Sequence, residues 1–106
     1  MPESQNTEYK QAWRDEYLKW ISGFANAEGG RLIIGRNDAG EAVGIKDAKK
    51  LLEDIPNKVR DILGIIVEVN LQIENDSDTL EIVVEPYPYL ISHKGKYYLR
   101  SGSTLQ

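Results

Sequence analysis

Between Ala12 and Ala27 the apolar side chains Trp13, Tyr17, Trp20, Ile21, Phe24 and Ala25 recur at steps of three and four. That period predicts one long amphipathic helix, with Arg14, Asp15 and Lys19 largely off its apolar face. Gly29 falls where a left-handed cap would end it, and Gly30 releases the chain into Leu32-Ile33-Ile34. Three consecutive apolar residues predict a strand covered on both sides. Asn37-Asp38-Ala39-Gly40 is a turn by composition, and Ala42-Val43-Gly44-Ile45 predicts a returning strand, hence a hairpin.

Asp47 stands where a helix cap is expected. Leu51, Leu52, Ile55, Val59, Ile62 and Leu63 keep helical spacing, but Pro56 lacks an N–H and clashes with the preceding turn. The expectation is a short helix to about Glu53 and another beginning near Pro56. Val67, Val69, Leu71 and Ile73 alternate with polar residues, as do Leu80, Ile82 and Val84. These predict two half-exposed antiparallel strands joined at Asn75-Asp76-Ser77-Asp78. Pro86 and Pro88 mark a loop or sheet edge. Lys94-Gly95 predicts a tight turn before a last strand, Lys96 to Ser101. Ser103 and Gln106 have capping-box spacing, which predicts the first turn of a further helix and a chain that is a fragment of a longer protein. The expected fold is α+β: a mixed, mostly antiparallel sheet with a long N-terminal helix and a second short helical segment packed on it.

Composition narrows the function. A chain of 106 residues with 41% apolar content builds one domain, 1–106, around one core. Cysteine is absent and His93 is the single histidine, which argues against a zinc site of the usual kind. No apolar run is long enough for a membrane span, and no basic-then-apolar leader is visible, so a cytoplasmic location is expected. The net charge of −4 is unlike a generic polyanion binder. The charge is segregated, however. Glu68, Glu74, Asp76, Asp78, Glu81 and Glu85 fall in an interval without lysine or arginine, whereas Lys94, Lys96 and Arg100 close the chain without an acid. Such runs are ordinarily solvated surface.

Glu3, Glu8 and Asp38 are candidate carboxylate ligands, because a divalent metal needs converging oxygen donors and can activate water for phosphodiester cleavage. In an extended segment Glu8 and Lys10 share a face, a carboxylate beside a group that can steady a phosphate. Glu3 would need a bend near Gln5-Asn6 to join them. With 17 acids in the chain, surface carboxylates and a turn aspartate are the simpler reading of spacing alone. On the last strand Lys96, Tyr98 and Arg100 would share one face, able to hold phosphates and stack on bases; packing tyrosines are the alternative. Arg31 and Arg36 could extend that basic edge. Gly29-Gly30 follows a helix C-terminus, whose dipole repels anions, so its role is a cap and turn. Asn26 is polar near the end of an apolar face, placed to bond open helix carbonyls or to reach a ligand. Ser92 and His93 are neighbours in an extended segment and point apart, so they do not form a catalytic pair.

Glu3-Ser4, Glu8-Tyr9-Lys10, the segment Phe24 to Gly30, the hairpin Gly35 to Gly44, Pro86, and Tyr97-Tyr98-Leu99-Arg100-Ser101-Gly102 form an ordered set. From Glu3 to Gly102 that set resembles the Alba-like domain of the Schlafen family. The resemblance implies two roles. In bacterial regulators the domain precedes winged-helix or ATPase-like modules and is taken to bind DNA. In animal relatives the same fold cuts transfer and ribosomal RNA with a carboxylate trio, onto whose positions Glu3, Glu8 and Asp38 fall. The chain departs from the family in having Arg36 where a small apolar residue is common, and in having one lobe where the animal enzymes use two. A homodimer could supply the second. The expectation is a nucleic-acid-binding module, DNA first, of a bacterial transcriptional regulator, using Arg31, Arg36, Lys94, Lys96, Tyr98 and Arg100 and needing no cofactor. The alternatives are an endoribonuclease using Mg2+ or Mn2+ with Glu3, Glu8, Asp38 and Lys10, and a structural or dimerisation domain.

Overall fold

A computed structural model describes residues 6–101 and 104–105, with side chains described for 6–99 and 105. The chain runs β1 (Thr7–Lys10), a 3-10 turn (Asp15–Tyr17), α1 (Leu18–Ala25), β2 (Gly30–Ile34), α2 (Ala48–Lys58), a π turn (Val59–Leu63), β3 (Glu68–Glu74) and β4 (Ser77–Val84). Two pairs of short strands follow: β5 (Ser92–His93) with β6 (Lys96–Tyr97), and β7 (Arg100–Ser101) with β8 (Thr104–Leu105). The main sheet has the order β1-β2-β4-β3. β1 runs parallel to β2, and the other two pairings are antiparallel, giving the expected mixed sheet.

Register decides which side chains meet. Leu32 faces Ile82 and Ile34 faces Leu80 across β2 and β4, while Val69 and Leu71 of β3 oppose the same two residues. This face carries the helices: Leu18, Ile21, Phe24 and Ala25 of α1 share a core with Ile55, Val59 and Leu63. Each leucine, isoleucine, valine and phenylalanine among them contributes about 1.5–3 kcal/mol by burial. Glu8 and Lys10 pair with Leu32 and Ile34, so they belong to the same helix-covered face.

Three expectations are corrected here. The first helical stretch is Asp15–Ala25, not Ala12–Ala27. Arg14 is extended, and the Trp13 indole N–H donates to Asp15 Oδ1 at 2.8 Å, so side-chain bonding fixes the entry just before the helix. The second helical stretch is the longer one. It does not break at Pro56 but continues to Leu63, widening into the π turn beyond the proline. Burying Ile55, Val59 and Leu63 along one stripe outweighs the proline's cost of about 3 kcal/mol. Ala42–Ile45 does not return as a strand. One bridge joins Arg36 and Ala42, after which the amides of Val43 and Gly44 both donate to Gly35 O.

The last strand is also interrupted. β6 ends at Tyr97 and β7 begins at Arg100, so Lys96, Tyr98 and Arg100 do not share one strand face. The Tyr98 carbonyl instead accepts a hydrogen bond from Asn26 Nδ2 at 2.7 Å. Thr104–Leu105 is a strand, not the first turn of a helix; Ser103 and Gln106 of the proposed capping box lie outside the described residues. Asp47 occupies the N-cap position of α2, but its side chain makes no cap bond there.

Asn26 is the tie between α1 and the C-terminal segments. Its Nδ2 donates to Ile91 O (2.9 Å) as well as Tyr98 O, and its Oδ1 accepts from Ile91 N at 2.6 Å. The helix carbonyls it was expected to cap have other donors: Gly29 N and Ala27 N reach Phe24 O, and Tyr87 N reaches Ala25 O. Gly29 has φ of 80°, and a Cβ there would lie 2.6 Å from Val84 O; one at Gly30 would overlap the Phe24 ring. Replacing Asn26 by Ala should lower stability by about 2–3 kcal/mol, because three partly buried backbone groups lose their partner; Asp keeps the acceptor for Ile91 N and removes the two donations to Ile91 O and Tyr98 O. Thermal unfolding and amide exchange check this, with the amides of residues 91–98 losing protection first.

Candidate nucleic-acid interface

Residues from β1, the 3-10 turn, α1 and the C-terminal segments together form a cleft of about 590 Å³. Lys10, Glu16, Tyr17, Lys19, Trp20, Tyr98 and Leu105 line it. Lys10 Nζ stands 4.9 Å from the Tyr17 ring centroid and 5.0 Å from that of Trp20, a cation over two aromatic rings. The same ammonium lies 3.4 Å from Glu8 Oε2, whose side chain is only 7% exposed. Sequence periodicity had placed Tyr17 and Trp20 on the packing face of a helix. Their additional position, facing a lysine two elements away, follows from the parallel pairing of β1 with β2.

The predicted site residues divide. Lys10 and Tyr98 come together in the cleft. Lys94 and Lys96 are exposed at the turn and on the outgoing strand of the β5–β6 hairpin. Arg31 and Arg36 are engaged within the fold. Arg31 Nη1 bonds Glu81 Oε2 at 2.8 Å, and Arg36 donates to both Glu74 carboxylate oxygens and to Gly40 O. The Glu74 pair raises the Arg36 pKa above its ordinary value and lowers that of Glu74. Such solvent-screened pairs contribute little stability, but they compete with any phosphate for the guanidinium. Arg100 lies on β7, and its side chain is outside the description.

Asp38 is exposed in the loop after β2, where Asn37 Oδ1 accepts from Ala39 N and Glu41 N and so fixes the turn. Glu3 lies outside the described residues. Among the described residues no three His, Cys, Asp or Glu side chains come together in a way that could hold a metal ion. Nor, among the described residues, is any helix long and apolar enough to cross a membrane.

His93 borders the cleft through Tyr98, with ring centroids 6.3 Å apart. It is buried, and its Nε2 has no hydrogen-bond partner among the described residues. Burial first, then the charges of Lys94 and Lys19, hold its pKa below the ordinary 6.5.

The sequence profile of the family described as Schlafen, AlbA_2 matches residues 3–106. The chain belongs to that family. Among solved structures it is similar to the DIP2311 protein from Corynebacterium diphtheriae, with a TM-score of 0.80 and 18% identity over 96% of this chain. It spans 22% of the length of that protein. It is also similar to the N-terminal domain of a Nitrosomonas europaea protein named as related to the ATP-dependent DNA helicase RecG. There the TM-score is 0.69 and identity 25%, covering 100% of this chain and 84% of the other. No curated protein matches the sequence.

The histidine gives a pH test. Unfolded His93 titrates near 6.5 and folded His93 lower, so between those values the unfolded chain binds more protons and acid favours unfolding. The His93 contribution is complete above 6.5 and is lost as pH falls below it. Asp15 and Glu74, whose pKa values are also lowered, begin to matter only below their ordinary 3.8 and 4.5. Melting temperatures measured between about pH 7.5 and 5.5 should fall for the native chain and stay flatter for His93→Gln.

Proposed function

We propose that this domain is a nucleic-acid-binding module, with DNA as first target, serving a bacterial transcriptional regulator. The observation that carries the reading is the cleft, where Lys10 and Lys19 share walls with Tyr17, Trp20 and Tyr98. Ammonium groups meet phosphates and aromatic rings meet bases, the pairing that nucleic-acid grooves use. Family membership supports it, and so does the similarity to a domain named for its relation to a DNA helicase. The exposed Lys94 and Lys96, with Arg100 following in sequence, extend the cationic border beyond the cleft. The net charge of −4 limits how many phosphates the surface can neutralise, so the affinity is modest and local.

A second reading is metal-dependent cleavage of folded RNA, and one observation favours it: Glu8 is a largely buried carboxylate 3.4 Å from Lys10, which lines the cleft. Glu3 and Asp38 would complete the set, with Mg2+ or Mn2+ polarising the phosphodiester.

Titrating labelled single-stranded and duplex DNA with rising salt separates the readings. Binding should weaken with a slope of about −0.9 per duplex phosphate neutralised, and Lys96→Ala or Arg100→Ala should each reduce the slope by about one. No binding to any strand at low salt would overturn the reading and leave a structural or dimerising role. RNA cleavage that requires Mg2+ or Mn2+ and disappears in Glu8→Gln would establish the second reading; cleavage that survives this substitution would refute it.

A further inference from the structure

We infer that the cleft between β1 and α1 takes an unstacked nucleobase, from a single strand or an extruded nucleotide, in preference to the stacked bases of a duplex. This inference rests on the nucleic-acid reading above and names the form of nucleic acid that the site accepts.

Three aromatic side chains reach the cleft from two distant parts of the chain. Tyr17 and Trp20 come from the first helical stretch, and Tyr98 is brought in by the bond from Asn26 to its carbonyl. Stacking needs a base face, and a duplex hides its base faces within the helix. A groove built to follow duplex phosphates needs rows of unpaired cations instead. Here Arg31 and Arg36 are ion-paired on the fold itself, and Lys10 is balanced by Glu8. Lys19 is the lining cation that forms no ion pair among the described residues. The balance of forces in this cleft therefore favours aromatic contact over charge.

The volume of about 590 Å³ suits one nucleotide-sized ligand, being within the usual range of small-ligand clefts. Its polar groups are of both kinds. Lys10 and Lys19 donate to a flanking phosphate or to base carbonyl oxygens, while Glu16 accepts from an exocyclic amino group. Glu16 Oε1 lies 3.2 Å from Arg14 Nε, an ion pair that holds the carboxylate in the wall.

Trp20 supplies the readout. In a Trp13→Phe background it is the single tryptophan, and Trp13 lies outside the cleft. A single-stranded oligonucleotide of about 12 nucleotides should quench its fluorescence. It should also bind about tenfold more tightly than the duplex of the same sequence. Trp20→Leu should cost single-strand affinity about tenfold, several times more than it costs duplex affinity. Tyr98→Leu provides an independent variant, because the tie to Asn26 uses its backbone carbonyl; circular dichroism and thermal melts verify that each variant folds. Equal affinity for both forms, unchanged tryptophan emission, or equal losses for both forms in the variants would overturn the inference while leaving nucleic-acid binding intact. Failure of the native chain to bind either form would overturn both.

Discussion

One side-chain amide joins the two parts of the molecule that make the cleft. Asn26 sits just beyond α1, and its three hydrogen bonds reach Ile91 and Tyr98, far along the sequence. Short two-residue strands such as β5 and β6 are too small to hold their own position. Asn26 gives them a fixed point, and Tyr87 N on Ala25 O adds a second. The helix end can spare its amide because Gly29, in the left-handed region, turns its own N–H back onto Phe24 O. The glycine cap thus frees the asparagine, and the asparagine places Tyr98.

The sheet makes the other half of the arrangement. Parallel pairing of β1 with β2 puts Glu8 and Lys10 level with Leu32 and Ile34, on the face that α1 covers. An ammonium on that face would be costly without partners. Lys10 has a carboxylate and two aromatic rings around it, and it remains partly exposed at the open end of the cleft. Glu8 and Lys10 therefore have a common structural explanation, independent of any metal: each makes the other's burial tolerable.

β2, β3, β4 and the glycine turn were legible because each depends on local pattern. Alternation from Val67 to Val84 marks β3 and β4, and Asn75 and Asp76 adopt the positive φ that their turn composition implies. Lys94-Gly95 likewise forms the turn between β5 and β6. What pattern could not show depends on distant partners. The continuation through Pro56 was decided by tertiary burial of Ile55, Val59 and Leu63, which local propensity does not contain. The break at Tyr98 was decided by a bond from a residue 72 positions away. Of the candidate site, Lys10 and Tyr98 were visible as residues of suitable chemistry. Lys19, Tyr17 and Trp20 were not, because a helical period assigns aromatic residues to a core before it assigns them to a cleft. The only available hint was that Trp13, Tyr17 and Trp20 are more aromatic than a short amphipathic helix requires.

The ion pairs explain how an acidic chain can still present a useful cationic site. Arg31 with Glu81 and Arg36 with Glu74 each cancel a positive charge on sheet residues, while Lys58 is held by Asp15 at 2.7 Å. Among the described residues the ion pairs do not include Lys19 in the cleft, Lys94 and Lys96 on the adjoining hairpin, or the exposed Lys46, Lys49 and Lys50 before and on α2, and the net charge of the chain stays at −4. A neutralised surface has little pull on a polyanion at long range. Recognition must then come from contact, and the contact surface that the fold provides is aromatic. The same charge economy that weakens a general attraction to nucleic acid gives the stacking wall its chance to discriminate between an exposed base and a paired one.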